Sequence, residues 1–295
     1  MNISTEFIPY PLSEKAGVEY FGKNESILTL DEESIIDSFQ SEGVVLFREF
    51  NTNIELFTQF SNKLSNNFMD YSGGVFNRKI INGNPTILTV NDFNNEVRLH
   101  GEMYYQKTIP QMLWFYCHQP ASSDGETIIC DGKRFYNALS DSLKELFRQK
   151  KLRYVSRMDK SAWIKRYKTD NLSDLKRICE SNDVQLCINE DQSIETYFTC
   201  PIIHPSRSRE YLVFINSLLP AKSMYPESVT FDDGSDIDED IMLQLNAIAE
   251  KLTVEIRWKK GDILMVDNTR IMHGRRAFID DNREIYLRLC SPSFL

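Results

Sequence analysis

Histidine is scarce in this chain: four occur in 295 residues, so imidazole chemistry must rest on His100, His118, His204 and His273. The six cysteines, Cys117, Cys130, Cys179, Cys187, Cys200 and Cys290, form no Cys-x-x-Cys pair and no zinc-ribbon spacing. That excludes a zinc ribbon or a thioredoxin-type motif and leads us to expect a reduced, intracellular protein. No apolar run approaches the ~20 residues that span a bilayer. The first eleven residues, with Glu6 and Pro9, lack the basic-then-apolar pattern of a signal peptide. A cytoplasmic location with no membrane partner is therefore the expectation. An excess of positive charge is also missing, since the net charge is −9. A nucleic-acid surface would need a local basic patch against that field, and none is expected. Only residues 151–166 are moderately basic, and their charges are interspersed with apolar residues. We read them as a solvated face, with a substrate-facing lid as the alternative.

What is present is a long series of short strand signals. Asp31-Glu32-Glu33 opens an amphipathic helix carrying Ile35, Ile36 and Phe39, and Gly43 ends it. Val44-Val45-Leu46-Phe47 reads as a buried strand. Thr52 or Asn53 caps a second helix bearing Leu56, Phe57, Phe60 and Leu64. Residues 71–90 read as turns and short strands, and 112–117 as a central strand buried on both faces. A further strand follows at 126–130. Residues 133–195 change character: Phe135 to Gln149 and Leu172 to Asn182 have helical periodicity and interrupt the strands. Strands resume at 196–203 and 211–215, then at 254–258, 263–266 and 285–289, with a helix over 240–252. We expect one domain spanning residues 1–295, mainly β with helical additions, a sandwich or barrel with N-terminal helices and a helical insertion at about 133–195. An insertion of that length over a barrel mouth is a candidate lid, where Trp163, Lys165 and Arg166 are the residues to test.

His100-Gly101-Glu102 places an imidazole and a carboxylate two positions apart, on one face of an extended chain. A distant imidazole, His273 in Met272-His273-Gly274, would complete a 2-His-1-carboxylate set. Such a set occupies one face of an octahedral metal and leaves the other positions open, which suits Fe(II) and dioxygen. Arg283 and Arg288 lie ten and fifteen positions after His273. A dicarboxylate cosubstrate in a barrel needs a fixed guanidinium, and a hydroxyl such as Thr127 would add a hydrogen bond. Five positions apart on a regular strand, the two arginines face opposite sides, and the sequence does not say which points inward.

Taken in order, His100-Gly101-Glu102-Met103-Tyr104-Tyr105, Pro110, 113–117, Pro120, Gly125-Glu126-Thr127 and Asp131-Gly132 resemble the taurine-dioxygenase-like superfamily of Fe(II)/2-oxoglutarate oxygenases. So do residues 261–268, His273-Gly274-Arg275 and Phe278, and, more faintly, Arg48 and residues 231–235. Within it the chain looks most like the SyrP-like and clavaminate-synthase-like members. The resemblance implies a double-stranded β-helix, or jelly roll, with helices outside. It implies His100, Glu102 and His273 as iron ligands, Thr127 and either Arg283 or Arg288 as contacts to 2-oxoglutarate, and O2 as the second cosubstrate. Family halogenases lack the carboxylate, so Glu102 argues for hydroxylation, desaturation or cyclisation of an amino acid or amino-acid-derived metabolite in specialised metabolism. The expected partner is a small-molecule substrate, free or tethered to a carrier protein.

Substrate contacts are expected from one of Tyr104 and Tyr105, from His204 and Asn216 near the family's substrate pocket, and from Asn77-Arg78, which would reach a substrate carboxylate. His118, without a partner, is expected to be structural. A homo-oligomer stays open. The competing classes are a cupin-like barrel that binds metal or ligand without turnover, and a hydrolytic metal enzyme. The latter is disfavoured because no general base is assigned by motif.

Overall fold

The computed structural model describes residues 7–71, 78–90, 93–280 and 282–294. Two sheets face each other. The larger runs in the order Tyr10–Pro11, Val18–Phe21, Val44–Arg48, Ile263–Asp267, Met112–Gln119, Glu284–Pro292, Asn84–Thr89 and Ile80–Ile81, with Ser65–Met69 also pairing to Glu284–Pro292. The smaller runs Val254–Ile256, Thr127–Asp131, Ile271–Arg275 and Val97–His100. Neighbours that are far apart in sequence, such as Val97–His100 beside Ile271–Arg275, are the mark of a jelly roll.

Side-chain alternation explains why Met112–Gln119 is apolar almost throughout. Leu113, Phe115 and Cys117 point into the space between the sheets, where they meet Ile129, Ile256 and Ile271 of the smaller sheet. Met112, Trp114 and Tyr116 point the other way, against Ile35, Phe39, Phe57 and Phe60. The last four belong to helices Glu32–Glu42 and Ile54–Lys63, which cover the outer face of the larger sheet. Each fully buried large apolar side chain there contributes about 1.5–3 kcal/mol. Both helices begin, and the first ends, as the sequence dictates: Asp31 Oδ2 accepts from the Ser34 N–H, Gly43 closes the first helix at φ 74°, and Asn53 Oδ1 accepts from the Leu56 N–H.

The interruption differs from the expected helical insertion. Gly132–Ala138, Asp141–Gln149, Lys160–Tyr167 and Leu172–Ser181 are helices, but Lys151–Met158 and Val184–Ile188 are strands. With Ile194–Pro201 and Val229–Phe231 they form an antiparallel four-stranded sheet. Of the basic segment read as a solvated face, residues 151–158 form one of the two inner strands of that sheet and the remainder lies in helix Lys160–Tyr167. Leu152 and Tyr154 alternate inward while Lys151 is exposed, so lysine and arginine between the apolar positions disguise a two-residue period. All six cysteines are free thiols. Among the described residues no helix is long and apolar enough to cross a membrane.

Candidate active site

Strand pairing brings the two histidines together: His273 lies directly opposite His100 in the smaller sheet. Their ring centroids are 4.4 Å apart. Gly274 permits this approach, because a Cβ there would come within 2.4 Å of the Val97 carbonyl oxygen. Glu102 lies two residues past His100, just beyond the end of strand Val97–His100, in a turn where Met103 adopts φ 64°. Gly101 is also constrained, since a Cβ there would meet the Tyr104 ring at 2.4 Å. The turn is held by Asn268. Its Oδ1 accepts from the Glu102 N–H at 2.7 Å, and its Nδ2 donates to the carbonyls of Glu102 (3.1 Å) and Pro110 (2.7 Å).

The carboxylate that results faces both imidazoles, with Glu102 Oε2 3.3 Å from His273 Nε2 and 3.9 Å from His100 Nε2. His100 Nδ1 sits 2.9 Å from the Arg98 carbonyl, which fixes a proton on Nδ1 and leaves the Nε2 lone pair turned toward Glu102. Burial, reinforced by His273, pushes His100 down to about 4, so it is a neutral donor near pH 7. Burial alone would raise Glu102, but the Arg78 guanidinium, with His273, holds it well below the usual carboxylate range. Two imidazole nitrogens and one ionised carboxylate, with donor atoms within 4.8 Å of one another, fit an octahedral Fe(II) with open positions.

The triad opens into a cavity of about 70 Å³ lined by Arg78, Val90, Phe93, Val97, His100, Glu102, Phe115, Thr127, His273, Gly274, Arg275, Arg283 and Leu287. Thr127 Oγ1 accepts from Trp258 Nε1 at 3.0 Å, which leaves its own proton to donate. Arg283 is buried with Nε donating to the Gly125 carbonyl at 2.9 Å. Burial and the nearby Arg275 bring it down to about 9, the electrostatics of a site that favours an anion. Arg288 points away from the cavity. It bonds to Ser61 Oγ, Asn62 Oδ1 (2.9 Å) and Thr86 Oγ1 (3.1 Å) and lies over the Phe68 ring.

Of the expected substrate contacts, Arg78 reaches the cavity and Asn77 lies outside the described residues. Tyr104 turns into the core, where its hydroxyl donates to the Asn268 carbonyl and its ring meets His204 edge-on. Tyr105 is half-buried and does not line the cavity. Asn216 is a buried turn residue bonded to Ile202 and Leu218. Trp163 is the centre of a small cluster with Leu175, Cys179 and Ile194, and Lys165 is exposed. None of Tyr104, His204, Asn216, Trp163 or Lys165 lines the cavity. His118 is remote from the triad, stacked on Tyr286 beside a shallow surface depression.

Arg275, named in the sequence only as part of the stretch after His273, was given no role there. Its guanidinium lies between the Phe93 and Phe278 rings and donates to the carbonyls of Val90, Phe93 and Asn95. It thus straps the segment before Val97–His100 across the cavity wall. Its place two residues after His273, with the same side-chain parity, was the available signal.

A carboxylate-containing triad inside a jelly roll, beside a buried threonine and arginine, is the architecture of the Fe(II)/2-oxoglutarate-dependent oxygenases. Residues 10–290 match the family model described as taurine catabolism dioxygenase TauD, TfdA family, and the chain belongs to that family. Its cofactor is Fe(II), with 2-oxoglutarate and O2 as cosubstrates. The chain is 25% identical to the dapdiamide synthesis protein DdaC of Enterobacter agglomerans, over 88% of this chain and 85% of that one. It is 29% identical to a clavaminate synthase-like protein of Arabidopsis thaliana, over 86% and 84%. Among solved structures it resembles PvcB of Pseudomonas aeruginosa with TM-score 0.64 and 16% identity, covering 99% of this chain and 92% of that one.

Proposed function

We propose that the protein hydroxylates an unactivated C–H bond of an amino acid or amino-acid-derived metabolite in specialised metabolism, releasing succinate and CO2. The observation that carries this reading is that, of the three guanidiniums lining the cavity, Arg283 and Arg78 are held by different parts of the wall around one triad. Arg283 is tied to Gly125, near Thr127, and these two side chains suit the distal carboxylate of 2-oxoglutarate. Arg78 is tied to Glu102, and its Nη1 is buried with no hydrogen-bond partner among the described residues. A buried, unpaired guanidinium N–H suits a second carboxylate, such as that of an amino-acid substrate.

When bound, iron with 2-oxoglutarate and O2 supplies oxidation of a C–H bond coupled to decarboxylation. The chain's part is to position that bond and keep it dry. His100 and His273 would hold the metal through their imidazoles, while Phe93, Val97, Phe115 and Leu287 exclude water. Glu102 fills the third protein ligand position and so leaves no vacancy there for a halide, which favours hydroxylation over halogenation. The names of relatives from dapdiamide synthesis and from an isonitrile synthetic pathway support the metabolic setting.

The test is a screen of amino acids, their derivatives and carrier-tethered aminoacyl groups for mass changes that require 2-oxoglutarate. Gain of one oxygen supports hydroxylation. Loss of two hydrogens moves the assignment to desaturation or ring closure. Equal turnover by His100→Ala, or no change with any member of the panel, would overturn the proposal.

A further inference from the structure

Glu102 has two oxygens, and the structure treats them differently. Oε2 is the one that approaches both histidines, 3.3 Å from His273 Nε2 and 3.9 Å from His100 Nε2. Oε1 is turned to Arg78, whose Nη2 lies 3.1 Å from it and 3.4 Å from Oε2. The arginine cannot easily move away. Its guanidinium stacks over the Tyr71 ring at 3.9 Å, and its side chain is only 8% exposed. A buried, stacked guanidinium holds a carboxylate in one orientation far better than water does.

We propose that Arg78 is a positioning residue for the metal centre: it retains Glu102 Oε1, so that the carboxylate meets iron through Oε2 alone. A carboxylate free of that restraint can close onto a cation through both oxygens, as carboxylates readily do. In a triad, the second oxygen would take a position that 2-oxoglutarate must fill. Arg78 thereby protects an open coordination position without touching cosubstrate. The inference rests on the Fe(II)/2-oxoglutarate reading of the site, and no substrate is needed to test it.

The experiment uses anaerobic protein, titrated first with Fe(II) by calorimetry and then with 2-oxoglutarate by the visible charge-transfer band. With Arg78→Met, the dissociation constant for 2-oxoglutarate should rise about tenfold or more, whereas that for Fe(II) should change by less than about threefold. Arg78→Lys, which keeps a charge near Oε1, should recover part of the loss. Thermal melting of the apoproteins separates this split from misfolding. Unchanged 2-oxoglutarate affinity in Arg78→Met would overturn the inference. So would equal losses for both ligands, because Arg78 would then support the whole site rather than select an oxygen. Failure of the wild type itself to bind Fe(II) or form the band would instead sink the oxygenase reading.

Discussion

Arg283 and Arg288 leave one stretch of chain in opposite directions: the first ends in the cavity beside the triad, the second under helix Ile54–Lys63 on the far face of the larger sheet. Both are buried cations, but only Arg283 lines the cavity. Arg283→Met should weaken 2-oxoglutarate binding by roughly tenfold to a hundredfold, the worth of a charged hydrogen-bonded pair of about 1.5–3 kcal/mol. Arg288→Met should leave that constant unchanged and lower stability by on the order of 2–4 kcal/mol, since Ser61, Asn62 and Thr86 lose their common donor. Titration of the charge-transfer band and urea unfolding read the two effects separately. If Arg288→Met were the variant that lost 2-oxoglutarate, the assignment would be reversed.

A metal held by the triad would make stability depend on it. A cation that binds only the folded chain stabilises it by RT ln(1 + [M]/Kd), about 2.7 kcal/mol at a hundred times Kd. Fe(II) or Mn(II) added anaerobically should therefore raise the melting temperature, and a chelator should return it to the apoprotein value. His273→Ala should abolish the increment while preserving the fold, because His273 sits at the cavity wall opposite His100. An undiminished metal-dependent shift in that variant would place the metal elsewhere.

Asn268 ties the Glu102 turn to the strand that precedes His273, through both backbone groups of Glu102 and the Pro110 carbonyl. Asn268→Ala leaves three buried groups without a partner, at a cost on the order of 2–4 kcal/mol. It should also weaken Fe(II) binding, since Glu102 would lose its anchored backbone. Asn268→Asp should be no rescue: it keeps the acceptor for the Glu102 N–H but sets a carboxylate oxygen against two carbonyls. Urea unfolding and Fe(II) calorimetry check both variants. Wild-type stability in Asn268→Ala would show that water replaces the amide.

Much of the architecture could be read from residues because it follows from local rules. Gly43 and Asn53 mark helix ends by backbone geometry, and residues 112–117 announce a strand buried on both faces. The His100-x-Glu102 spacing gave the right proximity for a partly different reason. Parity along a strand was the argument, whereas Glu102 lies past the strand end, in a turn set by Met103 and Asn268. The opposition of His100 and His273 is a matter of strand order, which no local pattern carries. Arg78 approaches Glu102 from 24 positions upstream, a contact that only tertiary packing makes. The sheet inside the insertion was hidden because arginines on Lys151–Met158 read as solvated surface, although Leu152 and Tyr154 kept the strand period.

Asp262 offers a pH test away from the iron site. It is almost wholly buried at the turn before Ile263–Asp267, where Oδ2 accepts from the Lys259 N–H at 2.9 Å and faces Arg48 at 3.4 Å. Burial outweighs both contacts and raises its carboxyl from 3.8 to about 6. Below about pH 4 the group is protonated in both states and costs nothing. Between about pH 4 and 6 the unfolded chain has released the proton while the folded chain keeps it, so the folded state binds more protons and stability falls as pH rises. Above about pH 6 the loss is complete, at most about 3 kcal/mol. Asp262→Asn keeps the acceptor for Lys259 and cannot ionise. The variant should therefore gain on the wild type as pH climbs from 4 to 6 and hold a constant difference above. Urea unfolding across that range measures the gap. A gap that narrows with rising pH would mean that Arg48 wins over burial and that Asp262 is held ionised.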